Sequence, residues 1–148
     1  MIQDLAIEEI DSLVPLFDQY MVSYGKESNP VAYTAYLRER LARKEATVFL
    51  SRDETGEPNG FVLNYHTFSS VSQGSVIVLN DLFVVASARK RGIGRQLIER
   101  VFQLARDSGA VRVDLGTQKT NLVAQSLYER LGFVRDTEFY SYSYPIRP

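Results

Sequence analysis

Apolar residues recur along this chain with two periods, which predict alternating helices and strands. A spacing of 3.6 residues is typical of amphipathic helices, and it predicts four of them, at residues 8–24, 30–43, 92–108 and 121–131. Asn29 and Pro30 suit the start of the second helix, because asparagine caps free amides and proline fits a first turn. Gly109 and Gly132 suit the ends of the last two.

Strands are predicted where apolar residues alternate or run together between turn residues. They lie at residues 46–52, 61–68, 75–85, 111–115 and 133–144. The third is the most apolar, which is typical of a strand buried on both faces inside a sheet. Strand, helix and strand in the middle of the chain imply a parallel pair, and the flanking hairpins imply antiparallel neighbours. We therefore expect an α/β (α+β) fold, a mixed sheet with helices packed on its faces.

Composition narrows the classes of function. The 148 residues fit a single domain, residues 1–148, and 45% hydrophobic residues suffice for a core. No run approaches the ~20 apolar residues of a membrane span. The acidic N-terminus has no signal-peptide pattern, so we expect a cytoplasmic protein without membrane contact. Cysteine is absent and His66 is the one histidine, which excludes thiolate chemistry and a histidine-rich metal site; no metal is expected.

Two polar residues, Asn80 and Asp81, interrupt the most apolar predicted strand. A strand buried on both faces cannot hold an amide and a carboxylate unless they find internal partners. One interpretation is that the strand bulges or opens at this point, as strands do at functional sites. The other is that the polar pair turns to the rim of the sheet.

A basic segment with two glycines lies between that strand and the next helix, and consists of Arg89, Lys90, Arg91, Gly92, Ile93, Gly94 and Arg95. A helix start offers unpaired amides and a partial positive charge, and glycine permits close approach to a ligand. The segment is therefore suited to bind a pyrophosphate. It is not a Walker A loop, since no Gly-Lys-Ser/Thr follows, and Leu97 replaces the third glycine of a dinucleotide fingerprint.

Two other interpretations of this segment stay open. It could be a solvated basic turn before a helix, or it could contact a nucleic acid. The formal net charge of -1 argues against the second, and the chain has no recognisable nucleic-acid module, so no nucleic-acid partner is expected.

Asn121, Ala124 and Tyr128 share one face of the last predicted helix, three and seven residues apart. The small Ala124 leaves room for a ligand, and the Tyr128 hydroxyl could act as a donor. The alternative is an ordinary amphipathic helix that Asn121 caps and against which Tyr128 packs.

Taken together in this order, Arg89-x-x-Gly92-x-Gly94 and Asn121-x-x-Ala124-x-x-x-Tyr128 resemble the motifs of the GNAT superfamily of acyl-CoA-dependent N-acyltransferases. The resemblance is strongest over residues 76–144, about half the chain. It implies a mostly antiparallel sheet in which a central parallel pair of strands splays apart. It also implies direct transfer of an acetyl group from acetyl-CoA to an amine, with no metal.

The resemblance implies a set of cofactor contacts. Backbone groups of Leu82, Phe83 and Val84 would pair with the pantetheine arm like an added strand. Asn121 would contact the pantetheine, beside Ala124. The diphosphate would be held by the amides of residues 91–95, with Arg89 and Lys90 adding charge.

The implied chemistry needs an acid, a base and a stabilised oxyanion. Tyr128 would face the thioester sulfur and protonate the departing thiolate, and a backbone N–H on a bulged central strand would stabilise the oxyanion. Asn80 stands where many relatives have a glutamate, which leaves the base open. Asp81 is the nearest carboxylate, and a water chain ending at Asp81 or at His66 is an alternative.

The acceptor pocket of the family is built by the first helices, the loop after the third strand and the C-terminal segment. Here these carry aromatic side chains, expected to contact the acceptor: Tyr20, Tyr24, Tyr65, Phe68 and Tyr140. An aromatic wall suits a cationic amine, so the expected acceptor is a small primary amine such as an amino acid or a short polyamine. A protein Lys or N-terminal acceptor is the alternative, followed by a non-catalytic acyl-CoA binder. A homodimer is expected, because the family often dimerises through C-terminal strands.

Overall fold

A computed structural model describes residues 1–147 of the chain. Within these residues the strands are β1 (Ile2–Asp4), β2 (Ala46–Arg52), β3 (Pro58–Ser69), β4 (Gly74–Val84) and β5 (Arg112–Asp114). The α-helices are α1 (Ile10–Ser23), α2 (Pro30–Ala42), α3 (Ile93–Ser108) and α4 (Leu122–Arg130). Short 3-10 turns lie at Ile7–Glu9 and Ala86–Ala88.

The strands form one sheet in the order β1-β2-β3-β4-β5. The pairings from β1 to β4 are antiparallel, whereas β4 and β5 are parallel. The expected mixed, mostly antiparallel sheet with one parallel pair is therefore confirmed. The most apolar strand, β4, lies inside the sheet as expected. The parallel pair lies at one end of the sheet formed by residues 1–147 rather than at its centre.

Helices cover both faces of the sheet, as the sequence predicts. On one face, Val48, Leu50 and Phe61 join α1 and α2 in a buried cluster. Strand alternation turns Phe49 to the other face, where its ring lies 4.7 Å from the Arg100 guanidinium of α3. Each face is therefore closed by its own helix layer.

The helix boundaries follow the predicted capping residues. The Asn29 side chain accepts a 3.2 Å hydrogen bond from the Ala32 amide, and Pro30 opens α2. Gly109 ends α3 in the left-handed conformation, with φ +70°. Local chemistry therefore suffices to place these ends to within about two residues.

The strand predicted over 133–144 is wrong for the described residues, since the structure assigns no strand to residues 133–147. Alternating aromatic residues permit a strand, but a strand also needs a ladder partner. No pairing of this segment is found within residues 1–147. Its large apolar side chains stay exposed, at Val134, Phe139, Tyr140, Tyr142, Tyr144 and Ile146.

The chain divides into two compact units. The first, Met1–Gly116, contains the sheet and α1 to α3, and the second, from Thr117 onward, contains α4 and the C-terminal segment. The single domain over 1–148 stays a prediction. None of the helices in residues 1–147 has the length and apolar character to cross a membrane. The same residues contain no group of three or more His, Cys, Asp or Glu that could hold a metal ion.

Candidate active site

A β-bulge in β4 places Asp81 in the candidate site. β3 and β4 pair Asn64 with Leu79 and Leu63 with Asp81, so that Asn80 is the extra residue. Because a bulge reverses the alternation of side chains, Asp81 shares the face of Leu63. The side-chain nitrogen Nδ2 of Asn80 donates a 2.9 Å hydrogen bond to Asp81 Oδ2, so the structure brings these two predicted residues together.

Tyr20, from the last turns of α1, contacts this carboxylate directly. Its hydroxyl donates a 2.6 Å hydrogen bond to Asp81 Oδ1. Its ring packs against three other aromatic rings with centroids 5.7–6.0 Å away, those of Phe17, Phe61 and Phe83. Burial raises the pKa of Tyr20 far above its usual value, and the hydrogen bond to Asp81 raises the pKa further. The hydroxyl is therefore held as a donor.

A second tyrosine pair borders the site on the same face. Tyr65 of β3 pairs with Val78, and its hydroxyl lies 2.6 Å from that of Tyr36 on α2. The Arg40 guanidinium lies 5.3 Å from the centre of the Tyr36 ring. Burial, then the hydrogen bond to Tyr36, and also the charge of Asp81 raise the pKa of Tyr65. A charge such as that of Asp81 acts on a pKa in this way only over a short range, so it indicates that Tyr65 lies near the carboxylate.

The predicted aromatic wall is gathered only in part. Tyr20 contacts Asp81, the Tyr24 ring lies 4.9 Å from that of Tyr20, and the charge of Asp81 raises the pKa of Tyr65. Phe68 instead is 82% exposed near the end of the β3–β4 hairpin, five residues and roughly 17 Å of strand beyond Leu63. Tyr140 belongs to the second unit, where its side chain is exposed.

His66 lies on the face of the sheet opposite Asp81. It follows Tyr65 on β3, and successive strand residues point to opposite faces. Its Nε2 is 2.8 Å from Thr47 Oγ1, and burial lowers its pKa. Asp81 and His66 are the two residues expected to take the proton that the acceptor loses, and the geometry favours Asp81.

The edge of β4 beyond the bulge has no strand partner in the part of the chain that the structure describes. β4 and β5 pair across Val76–Val78 and Arg112–Asp114, and residues 79–84 have no strand partner on that side within residues 1–147. A strand edge without a partner presents unpaired amide and carbonyl groups to any extended ligand.

Ladder alternation decides which backbone groups face this edge. The Val85 amide donates to the Asn59 carbonyl. In an antiparallel ladder, the groups of Phe83 then also turn toward β3, and those of Leu82 and Val84 turn away from it. Of the three predicted contacts, Leu82 and Val84 thus present backbone groups, while Phe83 contributes its ring to the aromatic cluster.

The segment before α3 has the features of an anion site. Lys90 and Gly92 have φ +64° and φ +81°, so the chain passes twice through the left-handed region. Gly92 caps α3 without a side-chain hydrogen bond, and the first helical hydrogen bond runs from the Gln96 amide to the Gly92 carbonyl. The amides of residues 93–95 therefore have no partner in the helix, and α3 has no acidic residue in its first turn.

Two contacts hold this segment against the sheet, one with β4 and one with β3. The Arg89 Nε donates a 2.9 Å hydrogen bond to the Val84 carbonyl. A Cβ on Gly60 would lie 3.2 Å from the Phe83 carbonyl oxygen and 3.4 Å from Ile93 Cγ2. The first turn of α3 therefore packs closely on β3 because Gly60 has no side chain.

In the second unit, α4 presents the other predicted motif. Asn121 Oδ1 accepts a 3.1 Å hydrogen bond from the Ala124 amide, so Asn121 caps the helix. Its amide nitrogen can still donate to a ligand. Tyr128 is half-buried and lies one helical turn beyond Ala124, on the same face of α4. Its ring packs edge-on against that of Phe133, with the ring centroids 5.8 Å apart.

The sequence interpretation missed Tyr36 and the ring cluster under Tyr20. The available signal was helical spacing, since Phe17 and Tyr20 on α1, and Tyr33 and Tyr36 on α2, are each three residues apart. That spacing marks a shared helix face, but it does not indicate which strand residues the face meets.

Comparisons with known proteins agree with this geometry. A model of the Acetyltransferase (GNAT) family matches residues 12–133. An uncharacterized N-acetyltransferase of Bacillus subtilis is 40% identical over 131 residues, 88% of this chain and 87% of that protein. A D-amino-acid N-acetyltransferase of Saccharomyces cerevisiae is 36% identical over 87 residues, 59% of this chain and 54% of the yeast protein. The crystal structure of a probable acetyltransferase matches with a TM-score of 0.93 at 38% identity, covering 100% of this chain and 99% of that one.

Proposed function

Because this chain belongs to the GNAT family of acetyltransferases, we propose that it transfers the acetyl group of acetyl-CoA to a primary amine of a small molecule. The resemblance drawn from the two sequence motifs is confirmed, and the enzyme is an acetyltransferase. The observation that carries the finer proposal is the Asp81 carboxylate, set by the bulge among tyrosine rings beside the edge of β4 beyond the bulge.

The family uses acetyl-CoA, and the residues present fit it. The edge of β4 that has no strand partner within residues 1–147 offers the backbone groups of Leu82 and the amide of Val84 to an extended arm, while Arg89 holds the Val84 carbonyl. The uncapped amides at residues 93–95, with Arg89, Lys90, Arg91 and Arg95 around them, fit a diphosphate. When bound, acetyl-CoA supplies an activated acyl thioester, so the protein needs to provide no covalent nucleophile.

Asp81 would bind the acceptor ammonium and accept the proton that it loses. Its two oxygens offer about four lone-pair positions, of which Tyr20 and Asn80 use one each. The remaining positions can accept hydrogen bonds from an ammonium group. Once the amine is neutral, its nitrogen would form the new bond to the acetyl carbon as the carbon–sulfur bond breaks, and the second proton that the nitrogen then loses would balance the one given to the sulfur.

Tyr128 would return a proton to the leaving sulfur. A phenol with a reference pKa of about 10 can protonate a thiolate whose conjugate acid has a pKa of about 8.5. The placement of Tyr128, Ala124 and the Asn121 cap on α4 supports this role. Asn121 would hold the pantetheine, and Ala124 would leave room for it.

Tyr20, Tyr24 and Tyr65 support a cationic acceptor, since aromatic rings attract ammonium groups. The yeast relative is by name a D-amino-acid N-acetyltransferase, which supports an amino acid as one member of the acceptor class. Phe68 and Tyr140 stay predicted acceptor contacts. No specific observation favours the protein Lys or N-terminal alternative.

We also propose a homodimer in the cytoplasm. The exposed apolar side chains of residues 133–147, Tyr142 at 92% exposure among them, support association.

A panel of amines tests the proposed function. Free thiol released from acetyl-CoA would be followed with amino acids, short polyamines, a lysine peptide and a peptide with a free N-terminus, and products checked by mass spectrometry. We expect release and a mono-acetylated product with at least one small primary amine. Acetylation of the peptides alone would transfer the assignment to the protein-modifying class.

A further inference from the structure

We propose that Tyr20 is the positioning residue of Asp81: its hydroxyl fixes the carboxylate in the orientation that accepts the acceptor's proton. This inference rests on the proposed function and adds a role for α1 that the family match does not assign. The sequence interpretation placed Tyr20 only in an aromatic wall around the acceptor.

The hydrogen bond spans two separate elements of the fold. Tyr20 Oη and Asp81 Oδ1 lie 2.6 Å apart, although the residues are 61 positions apart in the chain. A hydrogen bond to an ionised acceptor is short and about twice as strong as one between neutral groups. Tyr20 therefore ties the bulge of β4 to the end of α1.

The Tyr20 ring has little freedom to leave this position. It is edge-on to Phe61 at 5.7 Å and to Phe83 at 6.0 Å, and it lies 6.0 Å from Phe17 on its own helix. These rings belong to or pack on the buried cluster between α1 and the sheet. A ring held on three sides fixes the direction of its hydroxyl, as groups that support a catalytic residue must.

The carboxylate is gripped at both oxygens. Tyr20 donates to Oδ1, and Asn80 donates to Oδ2 at 2.9 Å. With both oxygens fixed, rotation about the terminal bond of Asp81 would break a hydrogen bond. One lone pair on each oxygen is left for the acceptor.

The other polar groups around Asp81 do not replace this contact. Tyr24, the residue that follows α1, adds to the raised pKa of Tyr20, and the charge of Asp81 raises the pKa of Tyr65 on β3. Tyr36 and Arg40 on α2 act on Tyr65. Tyr20 and Asn80 both supply side-chain donors to Asp81. The high pKa of Tyr20 keeps its proton available for donation across the working pH range.

The test is a double-mutant cycle with Tyr20→Phe and Asp81→Asn, using the amine that gives the fastest thiol release with the wild type. Tyr20→Phe keeps the ring and removes the hydroxyl. Tyr33→Phe is the matched control, because Tyr33 also packs on Phe17 but its hydroxyl donates to the Glu27 carbonyl. For each variant, kcat, KM for both substrates and Tm would be measured.

We expect Tyr20→Phe to lower kcat about tenfold, with KM for acetyl-CoA and Tm no more changed than in Tyr33→Phe. In the Asp81→Asn background it should cause no further loss, because the carboxylate that the hydroxyl positions is gone. An equal loss in both backgrounds, or no loss in either, would overturn the inference.

Asn80→Ala keeps the inference testable if Tyr20→Phe does not fold, since Asn80 is exposed and its loss leaves the ring cluster intact. We expect Asn80→Ala to lower kcat about threefold in the wild type and to have no effect in the Asp81→Asn background. The same loss in both backgrounds would contradict a carboxylate that is fixed by hydrogen bonds at both oxygens. Absence of thiol release by the wild type with every amine would instead remove the proposed function.

Discussion

Asp81 of β4 lies directly opposite Leu63 of β3, whereas Leu79, two residues earlier, lies opposite Asn64. A regular ladder would keep Leu79 and Asp81 on one face of the sheet. The extra residue, Asn80, separates them and turns the carboxylate toward α1. One inserted position therefore places the carboxylate, which the core could not hold unpaired, where two side chains donate hydrogen bonds to it.

Replacing Asp81 by asparagine should lower kcat for the amine by about 10²-fold, because the site loses its proton acceptor. KM for acetyl-CoA should hardly change, since the residues expected to hold the diphosphate lie at the start of α3. Steady-state kinetics at saturating acetyl-CoA would measure both. Asp107→Asn, an exposed position on α3, is the control. Equal rates in the two variants would mean that the proton leaves by another path.

The sequence predicted the local parts of this site and not its non-local contacts. Asn29 and Gly109 indicate helix ends through their own capping chemistry, and the segment Arg89–Arg95 indicates a basic helix start. Asn80 and Asp81 signalled a break in the strand but not its form. The form depends on the register of β3 against β4, which no residue near Asp81 encodes.

The contact between Tyr20 and Asp81 could not be predicted from the sequence for the same reason. It joins a helix to a strand 61 residues away, and periodicity indicates only that Tyr20 faces inward. The strand predicted at 133–144 failed for a related reason. An alternating pattern reports a residue's preference, and a strand forms only where a neighbouring ladder accepts it.

Gly92→Ala should raise KM for acetyl-CoA severalfold by distorting the amides that would bind the diphosphate. Gly25→Ala is a matched control, because Gly25 has φ +80° against +81° for Gly92, and an added Cβ meets nothing within 4 Å at either position. Both should lose about 1 kcal/mol of stability. Kinetics and thermal melts would show whether only Gly92→Ala affects acetyl-CoA. A similar KM in both variants would contradict the anion site.

Tyr128→Phe should lower kcat by about 10²-fold and leave KM for both substrates nearly unchanged, because the lost proton donation matters only as the sulfur departs. Thiol release at saturating substrates would measure the effect. The loss should shrink with an acyl donor whose thiol is more acidic, since that sulfur leaves without help. A full rate in Tyr128→Phe would remove the proposed acid.

Stability should fall as the pH drops below about 6.5, in part through His66. Burial lowers the pKa of His66 in the folded state, so the unfolded chain binds the proton first. The stabilisation from neutral His66 is complete above the unfolded pKa and is lost as the pH falls through the folded one. The decrease in Tm from about pH 7.5 to about pH 5.5 should therefore be smaller in His66→Gln. An identical decrease in both proteins would mean that His66 is equally easy to protonate when folded.

The most direct test of the account is a crystal structure of the protein with coenzyme A. It should show the diphosphate on the amides of residues 93–95 and the pantetheine arm paired with the backbone of Leu82 and Val84, its thiol directed toward the bulge that holds Asp81. Coenzyme A bound elsewhere, with the start of α3 and the edge of β4 both vacant, would contradict it.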